Sequence, residues 1–346
     1  MYEPGFLFTG KGLKAGRVMK AGKLSESILK RSVIRQLHTT DGQMLVSPAV
    51  GMDFSAVKLI PGEAVVSAVE TRCLGASVVG GLGVYAALNN LVCSGARPLG
   101  VLVNLLIPTS CTENELRQQM AQVEDVCEKE EVPVIGGHTQ VVRCVTEPVL
   151  TVTAIGAVME NELKTTSAVR PGMDILVTKW VGLEGTAILA LQKESELLSR
   201  YAQPFIDRAK AFAQFLSVRS EAAVAAKSGV AAMHDISEGG IFGALWEMGQ
   251  SSGVGLEIDL KKIPIRQETI EICEFFDLNP YKLVSGGSML MAAEYGNALV
   301  QEIRKTGVEA VIVGKATESN DRVLINGEER RFLETTQTDE LWRLMK

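Results

Sequence analysis

The sequence has no CxxC pair, no long apolar run and no basic excess, and each absence removes a class of function. Its six cysteines (Cys73, Cys93, Cys111, Cys127, Cys144 and Cys273) are widely spaced, which excludes the usual zinc and thioredoxin signatures. Most lie in apolar or helical stretches, where reduced, buried thiols are the simple expectation. No apolar run approaches the roughly 20 residues that cross a bilayer. The opening MYEPGFLFTGKGLKAGRVMKAG contains no apolar core or cleavage site for export. A net charge of −6 and a pI near 5.4 provide no basic footprint for nucleic acid or an anionic membrane. Short-period repeats and low-complexity tracts are also missing. The expectation is a cytoplasmic, enzyme-like chain of 346 residues, 46% hydrophobic and 22% charged, long enough for two packed cores.

Residues 1–22 carry five glycines and four basic residues without apolar periodicity and are expected to be mobile. Residues 23–165 read as an α+β domain. SESILKRSVIRQL (25–37) places Ile28, Leu29, Val33 and Leu37 at helical spacing, and strands are expected near 43–59 and 63–71. A glycine-rich stretch, LGASVVGGLG, leads into a helix with Val84, Leu88, Leu91 and Val92 on one face. LGVLVNLLIP (99–108) is a buried strand stopped by proline. Thr112 and Glu115 then form a capping box ahead of the stripe Leu116, Met120, Val123 and Cys127. VPVIGGHTQVV (132–142) is expected to be a strand that ends in bare glycine backbone and then presents polar side chains, and PVLTVTAIGAVM (148–159) is another strand.

A Pro-Gly turn in RPGMDILVTKWVG opens a second domain, residues 170–335. Helices near 184–193, 205–228, 239–251, 267–276 and 296–306 alternate there with strands near 174–178, 230–234, 255–260, 287–293 and 309–314. That alternation is an α/β pattern. NDRVLINGEERRF carries an Asn-Gly hairpin signal.

Two phosphate-loop patterns fail on spacing. GRVMKAGKLS has its glycines too far apart for a Walker loop and no hydroxyl after Lys23. GLGVYA (81–86) fits GxGxxA ahead of a helix, but no acid follows at the distance needed to hold a ribose. Single acids in apolar surroundings carry more information. Asp53, in VGMDFSAVKL, and Glu70, in SAVETRCLG, must each be paired, hydrogen-bonded or metal-bound if buried; a solvent-facing Asp53 is the other reading. HDISEGGIFGALWEMG (234–249) sets Asp235, Ser237 and Glu238 before a Gly-Gly pair that opens a helix with Ile241, Leu245 and Met248 inward. Asp235 there suits either a helix cap or a metal or phosphate edge.

Taken in order, GxDxxAV, GARP, the strand into GGHT, PGMDILVT, HDISEGG and SGGSMLMA resemble the ATP-binding superfamily of aminoimidazole ribonucleotide (AIR) synthase, across residues 19–318. MKAGKLSESIL and TKWVGLEGTAILA resemble most the branch of the hydrogenase maturation factor. The resemblance implies the two-domain PurM-like architecture: a ferredoxin-like α+β amino domain that forms a barrel on homodimerisation, and an α/β carboxyl domain. It also implies ATP and Mg²⁺ as cofactors, with a γ-phosphate passing to an oxygen of a small-molecule acceptor. Asp53 matches the family's metal-binding acid and Asp235 a second acid in the carboxyl domain, with Glu70 assisting the metal. Gly136, Gly137 and Thr139 match a phosphate-side turn, Asn89 and Asn90 line the nucleotide site, and His138 is an auxiliary catalytic donor or a structural histidine.

Departures from the family pattern matter as much. The family usually has Asp where Glu70 stands, an acid at Asn90 and another at Gln140. Losing those charges weakens binding of a second Mg²⁺, because an amide oxygen is a ligand without charge. The hydrogenase factor carries its substrate group on a cysteine in its tail, whereas this chain reads FLETTQTDELWRLMK there and has Cys273 as its last cysteine. The expectation is therefore an ATP-dependent enzyme that phosphorylates, dehydrates or cyclises a small substrate without that tail cysteine. The alternatives are a catalytically weakened relative that binds nucleotide or a maturation-complex protein partner, and a true AIR synthase.

Overall fold

The computed structural model describes residues 22–24, 26–39, 42, 44–46, 48, 56–73, 79–334 and 338–345. Asp53, most of the expected strand around it and residues 1–21 of the expected mobile segment lie outside the described residues. The chain divides into one unit of Met1–Leu91 and Ala96–Asn161, and a second of Val92–Gly95 and Glu162–Lys346.

In the first unit β1 (Gly22–Lys23), α1 (Glu26–Ser32), β2 (Met44–Val46) and β3 (Ala56–Val57) precede β4 (Glu63–Arg72) and α2 (Val79–Val92). β5 (Arg97–Pro108), α3 (Glu113–Lys129), β6 (Val134–Val142) and β7 (Val149–Met159) follow. Among the described residues the main sheet runs β1-β6-β5-β7-β4. β5 and β6 are parallel, joined by the α3 crossover, and the other neighbours are antiparallel.

Strand alternation sends Val101, Val103, Leu105 and Ile107 of β5 and Leu150 and Val152 of β7 to one buried face. Leu88 and Leu91 of α2 and the α3 stripe of Leu116, Met120, Val123 and Cys127 are buried with them. The opposite face is open. Val65 and Val69 of β4 are about 60% exposed, and Asn104 and His138 are exposed on the same side.

α3 begins as the sequence indicated, with both halves of the Thr112–Glu115 capping box in place. Its acids also fasten the segment before β2. Glu113 accepts from Arg31 Nη2 at 2.7 Å and Ser32 Oγ at 2.8 Å, while Glu124 accepts from the His38 N–H at 3.0 Å.

Three local expectations change. The helix expected over 25–37 stops at Ser32, and a 3-10 turn, Ile34–Gln36, follows it. α2 already begins at Val79, so GLGVYA lies inside the helix instead of ahead of it. The glycines of α2 serve packing: a Cβ on Gly80 would meet the Gln119 carbonyl at 2.6 Å, and one on Gly83 would meet Leu150 at 2.7 Å. Finally, β6 does not end at its glycine pair but continues through it to Val142, with β1 paired along its far half. Gly137 sits opposite Val103, whose carbonyl would lie 2.0 Å from any Cβ at that position. The neighbouring strand's backbone therefore requires this glycine.

The second unit contains β8 (Asp174–Thr178), α4 (Leu183–Gln192), α5 (Glu194–Leu197), α6 (Gln203–Lys210), α7 (Arg219–Lys227), β9 (Ala232–Asp235) and α8 (Gly240–Ser252). After these come β10 (Gly255–Asp259), α9 (Gln267–Phe275), β11 (Met289–Ala293), α10 (Gly296–Arg304), β12 (Ala310–Thr317), β13 (Arg322–Asn326) and β14 (Glu329–Phe332). Helices and strands alternate as expected, in a mixed sheet ordered β14-β13-β10-β12-β8-β11-β9. Among these pairs only β10 and β13 run parallel.

Both sheet faces are covered. Ile175 and Val177 share a core with Ile241, Leu245 and Met248 of α8. Leu176 joins Ala222 and Ala225 of α7 and Leu299 and Ile303 of α10. The helix expected over 205–228 is broken into α6, a 3-10 turn (Ala211–Phe215) and α7. In the hairpin after β13, Asn326 pairs with Glu329, so Gly327, at φ +66°, and Glu328 form the loop. No helix among the described residues is long and apolar enough to cross a membrane.

Gly137→Ala is expected to destabilise the first unit by about 3 kcal/mol in urea unfolding, since strand backbone cannot yield to the new methyl as a side chain would. Glu113 gives a second test. The Arg31 guanidinium, with Ser32, lowers its carboxyl to about 2. A depressed carboxyl contributes stability above its unfolded value and loses it as pH falls through the folded one. Stability should therefore fall between about pH 4.5 and pH 2, and Glu113→Gln should flatten that part of the profile.

Candidate functional site

In the first unit the candidate residues form two groups. Glu70 and Arg72, two apart on β4, share the helix-side face and reach toward α2. The Glu70 carboxylate accepts from Asn90 Nδ2 at 2.6 Å through Oε1, and its Oε2 lies 3.3 Å from Arg72 Nη1. Asn89, the preceding residue on α2, is buried. Each Glu70 oxygen thus already has a donor, and a cation bound there would have to displace the guanidinium.

The second group is split by strand alternation. His138 is exposed on the open face, opposite Asn104, with its Nε2 3.2 Å from Gln140 Oε1. Thr139 is buried on the helix side. Gly136, Gly137, His138 and Thr139 therefore do not form one turn facing one ligand.

In the second unit the candidate residues gather at one end of the sheet. Asp235 is the last residue of β9, opposite Met289, and is 4% exposed. Burial, with the Asp235 carboxylate next in effect, pushes the Cys93 thiol well up and keeps it protonated. The chain then bends: the Ile236 N–H donates to Ser288 O at 3.0 Å, and Gly239 and Gly240, at φ +83° and +60°, start α8. Only glycine fits at 240, where a Cβ would lie 2.6 Å from the Tyr281 carbonyl. Asp235 is not the cap of α8; the N-cap is Gly239.

The 285–288 turn beside it is held from several sides. Ser285 Oγ accepts from the Gly182 N–H at 2.6 Å, and Ser288 Oγ donates to Trp180 O at 2.6 Å. Thr178 Oγ1 accepts from the Met289 N–H at 3.0 Å. Lys179, at φ +53°, sends its buried ammonium to Glu221 at 2.6 Å, Ser217 O at 2.6 Å and Gly287 O at 2.8 Å. The interruption between α6 and α7 is what lets the Ser217 carbonyl serve as an acceptor. Glu184, in the first turn of α4, lays its Oε2 over Gly286, where a Cβ would come within 2.1 Å.

Sequence reading singled out HDISEGG and SGGSMLMA but passed over Lys179, Glu184 and Glu221. The available signal was a charge inside an apolar run: Lys179 in DILVTKWVG and Glu184 in VGLEGTAILA. The N-termini of α4 and α8 border this end of the sheet, and helix N-termini favour anionic groups. Among the described residues, no group of three His, Cys, Asp or Glu converges to hold a metal.

Two units, each a mixed sheet backed by helices, define a two-domain protein of PurM-like architecture. The chain belongs to the AIR synthase-related family: residues 52–158 match its N-terminal domain and residues 170–326 its C-terminal domain. It is 27% identical over 316 residues to a putative hydrogenase expression/formation protein of Methanocaldococcus jannaschii, covering 88% of this chain and 91% of that one. It is 28% identical over 244 residues to the carbamoyl dehydratase HypE of Rhodobacter capsulatus, covering 69% of each. Its fold matches that of a hydrogenase maturation protein HypE crystallised with ATP, with a TM-score of 0.75 at 16% identity over 91% of this chain and 95% of that one.

Glu70→Ala is expected to cost about 2 kcal/mol of stability, because Arg72 and Asn90 lose a charged acceptor. Glu70→Gln, which keeps one acceptor oxygen, should cost less. Equal losses in urea unfolding would show that the carboxylate is not what anchors these two side chains.

Proposed function

We propose that this chain is an ATP-dependent enzyme that transfers the γ-phosphoryl group to an oxygen of a small substrate, activating it for dehydration or ring closure. In that step the acceptor oxygen bonds to the γ-phosphorus, the bond to the β,γ-bridging oxygen breaks and ADP leaves. The observation carrying this reading is that both domains of the family match, over residues 52–158 and 170–326. The match of this chain's fold to that of a hydrogenase maturation protein crystallised with ATP supports it.

Asp53 and Asp235 are proposed as metal-binding acids, with Asn89 and Asn90 on the nucleotide side, together with Gly137 and Thr139, which share the helix-side alternation of β6. Glu70, already engaged by Asn90 and Arg72, is better suited to orienting Asn90 than to holding a cation. His138 is proposed as an auxiliary donor at the open sheet face. Mg²⁺ is proposed as the metal because it uses one or two carboxylates together with the phosphates of its nucleotide. When bound, Mg²⁺ would neutralise charge on the triphosphate. The open face, with Val65 and Val69 about 60% exposed, is proposed to be covered by a second copy of the chain in a homodimer.

A second reading, a weakened relative that binds nucleotide or a protein partner in a maturation complex, draws on Asn90 and Gln140. Asn90 donates to Glu70, which a carboxylate at that position could not do.

Mg-ATP at a hundredfold excess over its Kd is expected to stabilise the protein by about 2.7 kcal/mol. ADP should form when the acceptor is present, and Asp235→Asn and Asp53→Asn should each reduce that turnover at least tenfold. Stabilisation without ADP from any acceptor, formylglycinamidine ribonucleotide included, would favour the second reading. No stabilisation by Mg-ATP would remove the nucleotide from both.

A further inference from the structure

Gly239 caps α8 without a side chain of its own. The missing acceptor comes from a hundred residues away. Asp339 Oδ2 accepts from the Gly239 N–H at 2.7 Å, and Oδ1 accepts from the Leu341 N–H at 2.8 Å. The Val284 N–H faces the same carboxylate and favours its charged form. Asp339 is only 3% exposed and starts a 3-10 turn, Glu340–Arg343, in which Leu341 is also buried. One carboxylate therefore joins the start of α8, the 283–288 turn and residues 338–345. Beyond it, the Arg343 guanidinium donates to Asp277 O at 2.8 Å and Glu340 at 2.7 Å.

We propose that residues 338–345 form a releasable strap: seated by Asp339 across Gly239 and Val284, it holds the bend after Asp235 and the 283–288 turn together, and unseated it frees both. This does not depend on the nucleotide reading.

Burial makes the seat costly for a charged occupant. Burial raises the Asp339 carboxyl from 3.8 to about 6, even though three N–H groups pull the other way. A carboxyl that titrates higher when seated than when free takes up a proton on seating, so the strap holds more tightly in mild acid than at neutral pH. Glu238, beside the start of α8, adds to the upward shift. Cys273 of α9 is pushed up to about 12 by burial and stays neutral over this range. Within the strap Glu340 pairs with Arg343, and Lys282 lies 3.8 Å from Glu334. Asp339 is thus the group around the seat whose titration falls between the two conditions.

The test is amide hydrogen exchange on the full chain at about pH 5 and about pH 7.5, with rates corrected for intrinsic exchange. Protection of Leu341, Trp342, Arg343 and Leu344 should be about tenfold greater at the lower pH, as the two titration points require. Asp339→Asn should abolish that difference. Asp339→Ala should speed exchange at Gly239 and Val284 as well as in the strap. Equal protection of wild type at the two pH values would overturn the proposal, as would a difference that survives Asp339→Asn. So would Asp339→Ala leaving the Gly239 and Val284 amides unchanged. If neither variant folds, the wild-type comparison alone still decides.

Discussion

A buried ammonium has to be surrounded by acceptors, and meeting that requirement at Lys179 organises the second unit. The residue follows β8 in a left-handed backbone conformation, which turns its side chain inward instead of letting it reach solvent. Its acceptors come from three separate places: Glu221 on α7, the Ser217 carbonyl before α7 and the Gly287 carbonyl in the turn before β11. Removing any one leaves a desolvated charge or carbonyl unmatched, so the three segments are held in one arrangement. The 285–288 turn inherits its position from that arrangement, and through the Ile236–Ser288 hydrogen bond so does the bend that follows Asp235.

The first unit is organised by apolar alternation rather than by a buried charge. One face of its sheet carries the helices, and on that side Glu70 is tied to Asn90 and Arg72. The glycines that resemble ligand loops in the sequence turn out to serve packing at several points. Gly80 and Gly83 let α2 approach α3 and β7, and Gly137 lets β6 approach β5. Glycine marks close backbone approach, and a neighbouring strand makes that demand as readily as a phosphate does.

Much of the local structure was legible. β8 falls on the residues expected for it, the α3 capping box is complete and the apolar stripe after it is buried. Such features depend on side chains a few positions apart, which the sequence displays directly. The helix expected over 205–228 was less legible, because the Ser217 carbonyl left free at its interruption finds its partner in Lys179, 38 positions away. Strand alternation did show that His138 and Thr139 differ by one position, but which of them faces the helices depended on the register with β5.

By itself the sequence determined the order and type of the elements, the family and the acids worth watching, because periodicity and motif order are properties of neighbours along the chain. Only the tertiary structure decided which way the strands pair, which glycines serve packing, and what each buried charge meets. Glu70 meets Asn90, Lys179 meets Glu221, and Gly239 receives its acceptor from Asp339. The physical reason is that a buried polar group must be satisfied by whatever the fold brings within about 3 Å, and sequence separation places no restriction on where that partner comes from.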